Sequence, residues 1–456
     1  MRLAAGLVAA TLLTGLTVVA PGAGRAAAAG LAVSSVQDTV VDAAHSRIYV
    51  SGGGLATADL TGAATGTVAG VSAARQMALT PDGNQLVVAN GDGLAVVDAA
   101  TATLVRTIST GPNSCPNAVA PAAGKMFFTY GDCTDGTPGL GAVDLGTDAV
   151  TKSIDTGPVV VQHFDWAADS VVMKSVAVAP NMLVLQAGKT FVVLDAVGGT
   201  TPTVAVRTTK TFTAVPGATF AISPDGSEYV TGTGSSQPAR AYATADMAFR
   251  RTYPNHEPRG IAFRADGRLA MAAGAVGDVG LFAPGSTTET PLTFRATGTN
   301  FVSRGLGYGG DQLYVVMSGA SGYFITRAPV GPKASITIST DHYAYNYKGT
   351  AAVTIKLASP THSRSVSLFA RTEGHDLRFV KTASVGATSR TVVIKMPGLI
   401  YNTSFLATFA GDDVYARNSA SRAVKVRAKL VISSSSTSVV NGYHRLHPSP
   451  APTLTF

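Results

Sequence analysis

Residues 79–108, LTPDGNQLVVANGDGLAVVDAATATLVRTI, hold most of one structural unit. Pro81-Asp82-Gly83 reads as a turn, because proline presets φ and glycine accepts a positive φ at no steric cost. The apolar run 85–90 that follows is strand-sized, and Gly91 to Gly93 turn the chain again. A second apolar run ends at Asp98, and 103–108 alternates in character as a half-solvated outer strand does. With the strand that leads into Pro81, the unit is one four-stranded antiparallel sheet.

The same pattern recurs with a period near forty residues. Pro81, Pro121, Pro180 and Pro224 align with Ala265 in FRADGRLAMAA, Gly310 in YGGDQLYVV and Ala43 in VDAAHSRIYVSGG. The successive spacings are 38, 40, 59, 44, 41 and 45 residues, so the step into the fourth copy carries the substantial insertion. Seven such sheets set radially make a β-propeller, and a ring needs no polar capping repeat. Asp82-Gly83, Asp225-Gly226 and Asp266-Gly267 are read as hairpin turns and not as a calcium or catalytic series.

In these residues the pattern resembles the YVTN-type β-propeller repeat, close in fold to WD-repeat and lactonase-type propellers. LTPDGNQLVVAN in blade two and AISPDGSEYVTG in blade five match best, whereas blade four, VAPNMLVLQAG, lacks the Asp-Gly turn. The resemblance covers most of residues 31–332.

Beyond Lys333 the period is lost. ASITIST, AAVTIKL, SVSLFAR, LRFVKTA, RTVVIKM, SFLATFA and AVKVRAKL alternate as seven strands over about ninety-five residues, the size of an immunoglobulin-like sandwich. The segment 405–415 resembles the late-strand motif of bacterial Ig-like repeats: Phe405, Ala407 and Phe409 face one way, Gly411-Asp412 turn, and Tyr415 folds back over the edge. The expected fold is therefore all-β, a seven-bladed propeller (30–332) followed by a sandwich (333–430). Residues 431–456 are expected to be a disordered tail or a truncated second repeat, with His444 and His447 solvated.

Residues 1–29 read as an export signal: Arg2, an apolar stretch to Ala20 broken by Gly6 and Gly15, then small residues ending in Ala27-Ala28-Ala29. No later segment has membrane-spanning length without charge, so the mature chain is expected to be secreted or wall-associated. Lys and Arg against Asp and Glu give 2 − 0 = +2 for 1–30, 18 − 22 = −4 for 31–332, 14 − 5 = +9 for 333–429 and +1 for the tail. The basic balance belongs to the sandwich. An exported protein meets wall polymers and acidic glycans before nucleic acid, so the expected partners are an anionic small molecule, a cell-wall polymer or a surface protein. Cys115 and Cys133 suit a disulfide in an oxidising compartment, and without nearby histidine they make no zinc set.

Six residues before each aligned turn position stand Gln37, Arg75, Cys115, Lys174, Ala218, Arg259 and Arg304. Four cations at one repeat position predict a positive collar at the channel mouth, suited to a carboxylate or phosphate. His256 and Glu257 precede Arg259, and the blade-four insertion carries His163, Asp165 and Trp166, so these loops are candidate walls of a ligand site. PRGIAF at 258–263 resembles the start of an inner strand in lactonase-type propellers, with Arg259 matching that pattern, which implies sugar-lactone hydrolysis; His256 and Glu257 beside it are candidates for a general base. No nucleophile elbow, zinc-protease motif, phosphate loop or dinucleotide fingerprint is present. A secreted non-catalytic binding protein, with no cofactor and no metal, is the expectation; a lactonase-like enzyme is the alternative.

Overall fold

The computed structural model describes residues 30–455 apart from 132–137, 157–170, 213–218, 233–237, 254–257, 274–277, 295–298, 332–333, 359–362, 410–414, 416–417, 428–430, 433–436, 441–442 and 447–453. Six four-stranded antiparallel sheets and one three-stranded sheet follow one another along the chain, each ordered as its strands occur in sequence. Their first strands are Asp38–Asp42, Ala74–Leu79, Val119–Ala122, Val171–Val176, Phe220–Ile222, Pro258–Phe263 and Asn300–Gly309. Each packs against the next, and the seventh packs against the first, so the seven sheets are blades of a closed propeller around these inner strands.

Side-chain alternation builds this ring. In blade two, Leu86 and Val88 pack into one apolar cluster shared with blade one, while Val87 and Ala89 pack into another shared with blade three. Seven such clusters fill the seven interfaces between neighbouring blades. A strand buried on both faces needs an unbroken apolar run, and that is why strands such as Gln85–Asn90 and Thr190–Val197 carry LVVA and VVLD rather than alternation. Tyrosines tie some interfaces at the same repeat position: the Tyr49 hydroxyl donates to Ala99 O (2.8 Å) in blade two, and the Tyr314 hydroxyl donates to Leu60 O (3.2 Å) in blade one. Burial pushes the Tyr49 phenol up to about 12.

The seventh sheet has three strands of its own. Leu31 bridges antiparallel to Tyr323 in its outer strand, and the Leu31 N–H donates to Tyr323 O at 2.7 Å. The start of the described chain therefore lies along the last blade's edge and ties the two ends of the ring.

The aligned Asp-Gly pairs are turns. Gly83 N–H donates to Thr80 O (2.8 Å) and Gly226 N–H to Ser223 O (2.8 Å), and both glycines have φ near +70 (74° and 71°). The residue before the proline completes the turn: the Thr80 hydroxyl donates to Asp82 Oδ1 and the Ser223 hydroxyl to Asp225 Oδ1, each at 2.5 Å. Blade four departs from this. Its first two strands meet through Ala177 and Val178 alone, and Pro180 lies inside the second strand, Ala179–Ala187, rather than in the turn.

The sandwich has a three-stranded sheet of Ile336–Thr340, Gly349–Leu357 and Thr391–Leu399. Facing it is a five-stranded sheet in the order Ala344–Asn346, Asn418–Arg427, Thr403–Phe409, Arg364–Thr372, Arg378–Val385. Ala344–Asn346 is an eighth strand, beyond the seven expected, and it pairs parallel to Asn418–Arg427. Phe405, Ala407 and Phe409 are buried together in the core with Val353, Ile355 and Leu368. Tyr415 packs against that core, and Arg364 lies over its ring at 4.8 Å. The turn residues Gly411 and Asp412 lie outside the described residues, as does His447. In the tail, Thr437–Val440 pairs with Tyr443–Leu446 and Val431–Ile432 with Leu454–Thr455. Among the described residues no helix is long and apolar enough to cross a membrane.

Candidate functional site

Three inner strands break their ladder at the same level. In blade two, Ala74 pairs with Asn90 and Met77 with Val88, so Arg75 and Gln76 together oppose one residue. In blade six, Pro258 pairs with Ala273 and Gly260 with Ala272, leaving Arg259 as the extra residue. In blade seven, Phe301 pairs with Met317 and Leu306 with Val315, so 302–305, including Arg304, oppose one residue. All three bulges lie at the end of the strand away from its hairpin turn, and each contains an arginine. A bulge bends the strand and re-aims its side chains, and bulges concentrate beside binding sites.

Two glycines permit this geometry. A Cβ on Gly260 would come within 2.8 Å of Leu306 Cβ in blade seven, and one on Gly305 within 2.7 Å of Val302 Cγ2. Arg304 itself has φ 60°, a left-handed conformation that costs a non-glycine residue roughly 1 kcal/mol or more. Its Nη1 donates to Gln37 O in blade one at 3.2 Å, which fixes the guanidinium across the last and first blades. Arg259 is exposed and has no hydrogen bond or ion pair among the described residues. Blades six, seven, one and two are consecutive around the ring, so Arg259, Arg304, Gln37 and Arg75 form an arc rather than a full collar.

Lys174 is not part of that arc. It pairs with Val184, which places it level with Ala78 of blade two, three residues further toward the turn end than Arg75. Counting back from Pro180 misplaces it because Pro180 belongs to the second strand. Cys115 lies before the inner strand Val119–Ala122 and is disulfide-bonded; Cys133, its expected partner, lies outside the described residues. His256, Glu257, Ala218, His163, Asp165 and Trp166 also lie outside them.

Two buried polar side chains that the repeat alignment did not single out organise the channel. Gln76 spans from blade two to blade four: its Nε2 donates to Met173 O (2.9 Å) and its Oε1 accepts from Met173 N–H (3.1 Å). Asp38 in blade one accepts from the N–H groups of Thr39 (3.0 Å) and Met77 (3.1 Å) through different oxygens. An amide or carboxylate so deep is retained only when its polar atoms are satisfied. The sequence signal was present, a glutamine within the apolar inner strand ARQMAL and an aspartate opening DTVVD. Beyond the Gln76 bridge, toward the turns, a cavity of about 430 Å³ opens between the inner strands of blades two, three and four.

No family model matches the chain. No curated protein matches it either. Among solved structures, a functionally unknown protein from Desulfotomaculum acetoxidans DSM 771 is similar over 56% of this chain and 83% of its own, with 15% identity and a TM-score of 0.42. KlHsv2 with loop 6CD replaced by a Gly-Ser linker is similar over 76% of this chain and 98% of its own, with 10% identity and a TM-score of 0.43.

Proposed function

We propose that this chain is a secreted, non-catalytic binding protein whose propeller takes a carboxylate- or phosphate-bearing ligand at the leading end of its channel. The observation that carries the reading is the coincidence of three bulges, each presenting an arginine at one level: Arg75, Arg259 and Arg304. Guanidinium groups match carboxylate and phosphate oxygens with paired, charge-assisted hydrogen bonds. A domain of net −4 that gathers cations at one rim focuses its field there.

The repeat is read as YVTN-type and the sandwich as a bacterial Ig-like module, serving as spacer or cell-wall anchor. Its +9 balance and the stacking of Arg422 and Lys425 over the exposed Tyr343 ring, at 6.0 and 5.8 Å, suit an anionic polymer. Calorimetric titration of the full secreted chain with inorganic phosphate, citrate and a soluble glycerol-phosphate polymer tests the rim. Replacing Arg259 and Arg304 together with alanine should cost about 1.5–3 kcal/mol for each charged hydrogen bond lost to the ligand, and Arg259→Ala alone should weaken binding while the melting temperature stays unchanged. Equal affinity in the double variant overturns the rim as the site.

A further inference from the structure

We infer that the opposite, turn-side end of the channel holds a second site, for a small monocarboxylate with an apolar body. It goes beyond the arginine rim and uses none of its residues.

The cavity of about 430 Å³ has the size of a small-ligand pocket, a class that runs from about 300 to 1,000 Å³. Its walls are preformed. The Gln76 bridge to Met173 bounds it on the channel side, and the Ala123 N–H donates to Pro180 O (2.7 Å), joining the turn of blade three to the second strand of blade four at its mouth. Most of the lining is apolar, contributed by residues such as Met77, Val119, Met173 and Val176. Lys174 is the only ionisable side chain among the described residues that line it. It is half-buried and has no hydrogen bond or ion pair among the described residues.

A single ammonium on an apolar wall selects for ligands by charge and by shape. A carboxylate gives Lys174 the partner that no described residue supplies, in surroundings where water screens the pair weakly. The tail of the ligand then covers the apolar lining and gains from its removal from water. A phosphate or a dicarboxylate suits this place poorly, since a second negative charge would be desolvated without a second cation. The two ends of the channel are thereby selective for different anions: polar and multiply charged at the arginine rim, singly charged and amphipathic at Lys174.

Calorimetric titration of the full secreted chain with octanoate, and with 1-octanol and octylamine as the neutral and cationic counterparts, tests this. Octanoate should bind one to one, with octanol at least about tenfold weaker and octylamine undetectable. Lys174→Gln should weaken octanoate by about tenfold or more, and Lys174→Arg should restore most of the affinity, which separates loss of charge from damage to the fold. The Arg259→Ala/Arg304→Ala variant should bind octanoate within twofold of the parent, whatever happens to its phosphate affinity. Failure of octanoate to bind, or equal binding by Lys174→Gln, overturns the site and leaves the rim reading untouched. Loss of octanoate binding in the arginine variant places the carboxylate at the rim and overturns it equally.

Discussion

Blades two and four are built from the same four strands, yet each interrupts its inner ladder at a different end. Blade two shifts register between Ala74 and Met77, near the leading end, and blade four shifts between Lys174 and Val176, next to its turn. Blade two has a full turn, Thr80 to Asn84, held by the Asp82 carboxylate, whereas blade four turns through two residues. In blade four residues 180–183 oppose Ser175 alone, so six residues back from Pro180 lies Lys174, the last regularly paired residue before the irregular step and close to the turn-side mouth. A bulge thus decides which end of the channel a cation serves. The cores of the two blades are indifferent to it, because the second and third strands keep the same register in both.

That indifference predicts the largest effect. Leu86 in blade two and Leu183 in blade four occupy the same position on their second strands, and both are wholly buried at a blade interface. Leu86→Ala and Leu183→Ala should each destabilise the chain by about 2–5 kcal/mol in guanidinium denaturation. A loss well under 1 kcal/mol for Leu183→Ala alone would mean that the irregular blade is also loosely packed, and the comparison would fail.

Blade three stands between the two and carries the next effect. Cys115 is disulfide-bonded just ahead of its inner strand, where neither blade two nor blade four has a covalent tie. With Cys133 as partner the closed loop constrains the unfolded chain, and Cys115→Ser should lower stability by roughly 3 kcal/mol. Free-thiol titration of the unfolded, unreduced protein should find no reactive thiol; two would remove the tie altogether.

The blade count was legible because it rests on spacing, and spacing survives local irregularity: LTPDGNQLVVAN and YGGDQLYVV keep their strands in step even where the proline is absent. The level of a particular side chain was not, because it depends on how many residues the turn consumes. Counting back from the turn placed Arg75, Arg259 and Arg304 at one level, since their turns are of comparable length, and it failed at Lys174. The Arg-Gly pairs at 259–260 and 304–305 were a further readable sign, because only glycine fits beside Leu306 and Val302 there. The eighth strand of the sandwich is illegible for another reason: Ala344–Asn346 is three residues long and is held by backbone pairing to a distant strand, which leaves no periodicity to read. Gln76 is marked in the sequence only as a polar residue in an apolar strand, because its partner, Met173, lies two blades away.

The smallest effect concerns the turns themselves, and it distinguishes blades two and five from blade four. The Asp82 carboxyl is held below the ordinary carboxylate range chiefly by the Thr80 hydroxyl and then by the Asn84 N–H; Asp225 is lowered in the same way by the Ser223 hydroxyl and the Ser227 N–H. A carboxyl whose value is depressed on folding contributes stability that is present above its unfolded value, about pH 4, and is lost as pH falls through the folded one. Asp82→Asn and Asp225→Asn remove the titrating group while keeping an acceptor in the turn. Their melting temperatures should fall below that of the parent near pH 6 and converge with it toward pH 2.5. Both carboxylates are largely exposed to solvent, so the gap near pH 6 should be about a degree or less per turn. Blade four, turning through Ala177 and Val178, has no carboxylate to lose at this place, so introducing Asp at 178 should not add acid sensitivity of this kind: a two-residue turn offers no Thr or Ser at the position that Thr80 and Ser223 fill. Melting curves of the Asn variants that run parallel to the parent from pH 6 to 2.5 would show that the hydroxyl bonds, and not the charge, hold these turns.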